Sequence, residues 1–270
     1  MDLGRAVVTA ASIFDVLDDG RYVATELARG PWNPGEAHGG APAALIAGAV
    51  DALEGDLAVT RLTLDFLGAV PIGVPLSLDV ALLKPGKRFQ LVEAVLKTEE
   101  RELIRAQAVR IRRAETDAPS SPGPAVPPGR GDYGEHPGLV TDDVVERPVG
   151  FFPDVMEIRV VAGAPGTGVA TAWFRMQKPV LPGVEPSPLQ RAVGAADFAN
   201  GLSFRVPFGE WIFVNTDLTV HLSREPVGEW IALDARTDLG DGGAGLAAGV
   251  LHDDDGRIGT VAQALFIQPR

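Results

Sequence analysis

A short run of residues recurs at a fixed distance in this chain, and an internal repeat constrains architecture more tightly than any local propensity. Arg61-Leu62-Thr63-Leu64-Asp65-Phe66 aligns with Asp217-Leu218-Thr219-Val220-His221-Leu222 at a separation of 217 minus 61, or 156 residues. The same separation relates Gly86 to Gly242 and Ala106-Gln107-Ala108 to Ala262-Gln263-Ala264, whereas Leu78-Asp79 and Leu233-Asp234 need a shift of one residue. The common order of these matches makes a duplicated domain the expected organisation.

The composition changes between the two copies. From Ala114 to Pro148, prolines 119, 122, 124, 127, 128, 137 and 148 stand among Gly, Ser and Asp. Proline fixes φ and removes a backbone donor, so an extended connector is expected here. The expected division is an N-terminal domain over 1–113, a linker over 114–148 and a C-terminal domain over 149–270.

Each half reads as one helix among antiparallel strands. Strands are expected near 21–28, 59–67, 75–83, 88–97 and 103–112, with an Ala-rich helix over about 40–53. The second half repeats this with strands near 155–161, 168–176, 212–222, 230–237, 245–252 and 259–267 and a helix over about 188–202. Hairpin turns are marked by Lys84-Pro85-Gly86-Lys87, Asp241-Gly242-Gly243 and Asp254-Asp255-Gly256. The fold class is α+β. A curved antiparallel sheet wrapped on one central helix is the hotdog arrangement, and two copies make a double hotdog.

Composition removes several function classes. Lys plus Arg number 24 against 36 for Asp plus Glu, a net charge of -12, which disfavours nucleic acid or an anionic membrane as partner. Cysteine is absent, excluding disulfides, thiolate metal sites and a cysteine nucleophile. The apolar runs are too short for membrane insertion. Arg5 followed by Ala6 to Phe14 imitates a secretory signal only faintly, since Thr9 and Ser12 interrupt it and Asp15, Asp18 and Asp19 follow, so a cytoplasmic location is expected.

Three polar positions stand out in the second half. Asp197 lies in the second helix with Val193, Gly194, Asn200 and Gly201 at helical spacing and no local cation. It is either a solvated residue or a carboxylate covered by the sheet, where burial would demand partners. Gln263 shares a period-two face with Val261, Leu265 and Ile267, so it is either a structural hydrogen bonder or part of a site. In the strand near 215, Val214, Thr216, Leu218 and Val220 read as the core face, with Asn215, Asp217, Thr219 and His221 opposite. At the offset of 156, Asp197 falls on Ala41, Asn215 on Val59, Asp217 on Arg61 and Gln263 on Gln107. The polar set belongs to the second half, so one centre is expected there, with the first half as its wall.

Other signals are weaker. Gly240 to Gly245 fits G-x-G-x-x-G but reads as a hairpin turn, because no βαβ continuation follows. Asp253-Asp254-Asp255-Gly256 lacks the remaining ligands of a calcium loop, and His38, His136, His221 and His252 show no zinc spacing. There is no G-x-S-x-G serine elbow. Gly39 and Gly40 open the first helix, either as a plain turn or as a source of amides for an oxyanion, and His38 reads as a loop or capping residue.

The order of elements, the stretch Trp32-Asn33-Pro34-Gly35-Glu36-Ala37-His38-Gly39-Gly40 and the later Asn215-Thr216-Asp217-Leu218-Thr219-Val220-His221 and Val261-Ala262-Gln263 resemble the acyl-CoA thioesterase II (TesB-like) family. The resemblance implies hydrolysis of acyl-CoA to a free acid and CoA without metal or redox cofactor, and a homo-oligomer. It also implies that an Asp on the second-half helix, a Ser or Thr on the next strand and a Gln on a late strand activate water. Asp197 and Gln263 match the first and third positions. Asn215 stands at the middle one, where the family more often has a hydroxyl, and a one-residue bulge would bring Thr216 there instead. His38, Gly39 and Gly40 are the candidates for substrate or oxyanion contact. A non-catalytic acyl-thioester binder and a hotdog dehydratase or hydratase are the competing readings.

Overall fold

The computed structural model describes residues 10–114, 129 and 149–270. The rest of the proline-rich connector and the N-terminal stretch up to Thr9 lie outside the described residues. The first half contains β1 (Phe14–Val16), β2 (Tyr22–Ala24), α1 (Gly40–Asp51), β3 (Leu57–Phe66), β4 (Pro75–Lys84), β5 (Phe89–Lys97) and β6 (Glu102–Arg112). The second contains β7 (Met156–Ala164), β8 (Val169–Met176), α2 (Pro188–Ala196), α3 (Ala199–Leu202), β9 (Trp211–Asn215), β10 (Asp217–Leu222), β11 (Trp230–Leu239), β12 (Ala244–Asp253) and β13 (Gly256–Pro269).

The described strands form one antiparallel sheet in the order β1-β2-β4-β5-β6-β3-β10-β13-β12-β11-β8-β7, with β9 also on β13. The halves join where β3 meets β10. Thr63 stands opposite Thr219, Leu64 opposite Leu218 and Leu62 opposite Val220, and the two threonine hydroxyls lie 3.3 Å apart. The seam is therefore centred on residues 156 apart, and the strand order on one side mirrors that on the other. On the inner face Leu62, Leu64, Ala106, Ala108, Leu218, Val220, Val261 and Leu265 are buried at period two.

The helices cover that face and cross each other through small residues. Gly40 through Ala47 are all buried, as expected of a helix apolar on every side. A Cβ on Gly48 would meet the Gln190 side chain at 2.3 Å, and one on Gly40 would meet the Gly194 carbonyl at 3.0 Å, so glycine is what allows this close approach. Ser187 caps α2 by accepting from the Gln190 amide, and Gln190 reciprocates. Beyond the far end of α1, the buried Arg110 donates to the Leu53 carbonyl at 2.6 Å. The expected hairpins connect β4 to β5, β11 to β12 and β12 to β13, and the G-x-G-x-x-G stretch is the β11–β12 turn, with Gly243 at φ +80.

Four sequence expectations need correction. The second helix is not continuous over 188–202: it breaks at Asp197 and Phe198. The expected strand over 21–28 stops at Ala24 and turns into a short 3-10 helix, Glu26–Ala28, while β1 was not anticipated. The expected strand over 212–222 divides at Thr216. Asn215 pairs with Leu265 but Thr219 with Ala262, so the register slips by one residue between them. That slip changes which side chains point inward: Phe213 and Asn215 share the inner face with Leu218 and Val220, and Val214 and Thr216 do not.

The fourth correction concerns the offset. Thr63 pairs with Gln107 whereas Thr219 pairs with Ala262, so β6 and β13 correspond at 262 minus 107, or 155. Gln107 thus matches Ala262 and is exposed, while Gln263 matches the buried Ala108. The helices start at Gly40 and Pro188, 148 apart, so Asp197 does not correspond to Ala41.

Candidate active site

Asp197 ends α2, and its side chain is only 3% exposed. Burying a carboxylate this completely requires that its oxygens be partnered. Asn215 Nδ2 donates to Oδ1 at 3.0 Å, Gln263 Nε2 donates to the same oxygen at 3.2 Å, and His38 Nδ1 lies 3.0 Å from Oδ2. Three other segments of the chain converge on the carboxylate that ends α2.

Gln263 explains the helix break beside it. An unbroken helix would satisfy the Asn200 amide with the Ala196 carbonyl. Here the Asn200 N–H donates to Gln263 Oε1 at 2.9 Å, while Gln263 Nε2 also donates to the Asp197 carbonyl at 3.2 Å. The fully buried side-chain amide substitutes for backbone partners at the interruption. It therefore has both a structural role, to the helix rather than to a neighbouring strand, and a direct contact with the carboxylate.

Asn215 reaches Asp197 because of the slip at Thr216, which keeps residue 215 on the inner face. Its Nδ2 is also 3.3 Å from the Asp217 carbonyl. Thr216 is exposed and its hydroxyl donates to the Ala264 carbonyl at 3.3 Å, so the irregularity does not bring that hydroxyl to Asp197. The Asp217 carboxylate accepts from the Ala264 amide at 2.6 Å.

The first half supplies the opposite wall. His38 stacks against the rings of Phe151 and Phe198, with centroids 5.1 and 4.5 Å away. Gly39 precedes α1 directly beneath the carboxylate: a Cβ there would lie 2.9 Å from Asp197 Oδ2 and 3.2 Å from the Phe66 ring. The positive end of a twelve-residue helix is thus beside the buried acid. The Gly40 amide donates to His38 Nδ1 at 3.1 Å.

Of the residues singled out in the sequence, Asp197, Asn215, Gln263, His38, Gly39 and Gly40 come together, and Thr216 stands apart. Sequence reasoning did not anticipate the His38–Asp197 contact or the Asn200 amide on Gln263. The signal for the latter was present, since Asn200 lies three residues after Asp197 in a stretch otherwise small or apolar. Chemically, a buried carboxylate beside amide donors and a helix N-terminus offers a proton acceptor next to groups that stabilise negative charge.

Comparison with known proteins identifies the family. The model of the acyl-CoA thioesterase C-terminal domain matches residues 106–267, and that of the acyl-CoA thioesterase N-terminal domain matches residues 28–111. No curated protein matches the chain in sequence. Among solved structures, the chain is similar to a hot dog fold protein of unknown function from Alicyclobacillus acidocaldarius, at 15% identity over 96% of each chain with a TM-score of 0.73. It is also similar to the tesB protein of Mycobacterium avium subs paratuberculosis, at 18% identity over 92% of this chain and 93% of that one, TM-score 0.66. Acyl-CoA thioesterase II TesB2 of Mycobacterium marinum matches at 17% identity over 95% of each chain, TM-score 0.64. At such identities the structures speak for the hotdog fold, and the domain models carry the assignment: the chain belongs to the acyl-CoA thioesterase family of thioester hydrolases.

Proposed function

We propose that this chain hydrolyses acyl-CoA to a free fatty or related acid and CoA by direct attack of water, with Asp197 as the base. Asn215 and Gln263 hold the carboxylate and orient the water, and the amides at Gly39 and Gly40 receive the negative charge that develops on the thioester oxygen. The observation that carries this reading is the Asp197 carboxylate itself, buried yet held by two side-chain amides on one oxygen. Thioester hydrolysis needs a nucleophile, a proton acceptor and an oxyanion site; with water as the first, the cluster offers candidates for the other two.

The chain is further read as a double hotdog, two units over 1–113 and 149–270 derived from one ancestral unit by duplication and joined by the connector. The seam of Thr63 on Thr219 and the mirrored strand order support this. Only the second unit carries the polar set, since Val59 and Ala108 stand where Asn215 and Gln263 do. A homo-oligomer is the expected assembly.

The test is Asp197→Asn, assayed by thiol release over short, medium, long and aromatic acyl-CoAs. Loss of turnover by about 10²-fold or more in a variant that still folds is expected. Wild-type turnover in that variant, or acyl-CoA binding without thiol release by the unaltered protein, overturns the reading.

A further inference from the structure

His38 Nδ1 faces two groups at once. It lies 3.0 Å from Asp197 Oδ2 and 3.1 Å from the Gly40 amide nitrogen. A ring nitrogen with a proton can donate to the carboxylate but cannot accept from the amide, and a bare ring nitrogen can do only the reverse. The two contacts therefore belong to two protonation states, and the Gly40 N–H is engaged in one and released in the other. Both partners meet the same nitrogen while the ring stacks on Phe151 and Phe198, so the exchange needs a proton and no change of rotamer.

We propose that His38 takes up, at Nδ1, the proton that Asp197 removes from the attacking water, and that this transfer frees the Gly40 amide for the oxyanion formed in the same step. The inference rests on the reading of Asp197 as base. At the start His38 is neutral, with Nδ1 accepting from Gly40, and the O–H of the attacking water is the hydrogen-bond partner of Asp197 Oδ2. As the water oxygen bonds to the carbonyl carbon, one water O–H bond breaks, and its proton passes through Asp197 Oδ2 to Nδ1. The imidazolium then pairs with the carboxylate, and the Gly40 N–H loses its acceptor just as the thioester oxygen becomes negative. When the C–S bond breaks, its electron pair leaves with sulfur and the imidazolium gives a proton to that thiolate, yielding the free acid and CoA thiol.

The test compares His38→Asn and His38→Ala. Asparagine can occupy one of the two hydrogen bonds but cannot hold the proton. Expected for His38→Asn is a fall in kcat of about 10²-fold or more with KM changed less than about threefold. For His38→Ala, free imidazole is expected to restore at least about tenfold of the lost rate, and pyrazole, a ring of the same size but a far weaker base, is not. Near wild-type kcat in His38→Asn overturns the proposal, as does rescue of His38→Ala by both rings or by neither, which would leave His38 a packing residue. Asp197→Asn separates the two levels. If it is inactive while His38→Asn is normal, the role of Asp197 stands and that of His38 falls; if Asp197→Asn is active, both fall.

Discussion

Thr60 and Thr216 hold the same place in the two halves. Each sits where the strand register slips by one residue, and each donates its hydroxyl across the ladder, to Val109 and Ala264 respectively, at 3.3 Å. A feature present in the half without the acid belongs to the sheet and not to the chemistry. Thr216→Val is expected to keep kcat within about threefold while costing about 0.5–1.5 kcal/mol in urea unfolding, much as Thr60→Val should. A hundredfold loss of kcat in Thr216→Val would return the hydroxyl to the catalytic set.

Asn215 carries the opposite expectation. Replacing it with Asp places a second carboxylate about 3 Å from Asp197 Oδ1, at the position of the present amide. Two like charges at that distance share a proton, and the base is lost at neutral pH. Asn215→Asp should lose about 10²-fold or more in kcat at pH 7, whereas Asn215→Ala, which removes a donor without adding charge, should lose less. Equal rates for the two variants would count against the contact.

Gln263 tests the double role of one side chain. Gln263→Leu fills the space but leaves the Asp197 carbonyl and the Asn200 amide without their partner inside the protein. Each orphaned buried group costs about 1–3 kcal/mol. A fall in stability together with a fall in kcat is expected, read by denaturant midpoint and thiol release. Unchanged stability would show that the helix break is held by something else.

Gly39→Ala separates geometry from stability. The backbone there has φ -55, which alanine adopts freely, but the added methyl would press on the carboxylate from 2.9 Å. Activity should fall about tenfold or more while the melting temperature changes by no more than a few degrees. A fully active Gly39→Ala enzyme would mean that the carboxylate can move aside without consequence.

Outside the site, the buried Asp253 and its half-buried partner Arg224 set part of the response to acid. Burial alone would raise the Asp253 carboxyl, but the Arg224 guanidinium and the Val227 and Asp255 amides outweigh it and hold the group below its ordinary value of 3.8. A lowered carboxyl stabilises the fold fully above the unfolded value, and that contribution is lost as pH falls through the lowered one. Stability measured from pH 6 downward should therefore decline, and Asp253→Asn should be less stable at pH 6 with a shallower decline below 3.8. Parallel curves for the two proteins would remove Asp253 from the acid response.

Much of this was legible in residue order, and the failures share a cause. Strands β3 to β6 and β11 to β13 follow from alternation and turn residues, which are local properties. The break at Asp197 and the slip at Thr216 are set by partners far away in sequence, the Gln263 amide and the Ala264 carbonyl, and nothing in either segment alone announces them. The match of Ala106-Gln107-Ala108 with Ala262-Gln263-Ala264 was misleading because a small shift in register changes which face a residue occupies. At the correct spacing of 155 the glutamine is not repeated, and its uniqueness becomes visible. His38 was undervalued because its partner is 159 positions away, across the seam between the halves.

Because Asp197 comes from one half and the glycine loop beneath it from the other, the seam of β3 on β10 governs alignment of the proposed site as well as cohesion. A chain divided at the connector would need its two pieces to reassociate before any turnover, so mixing separately produced halves should give a rate that rises with concentration. The two halves would then be mutually dependent, neither able to turn over substrate alone.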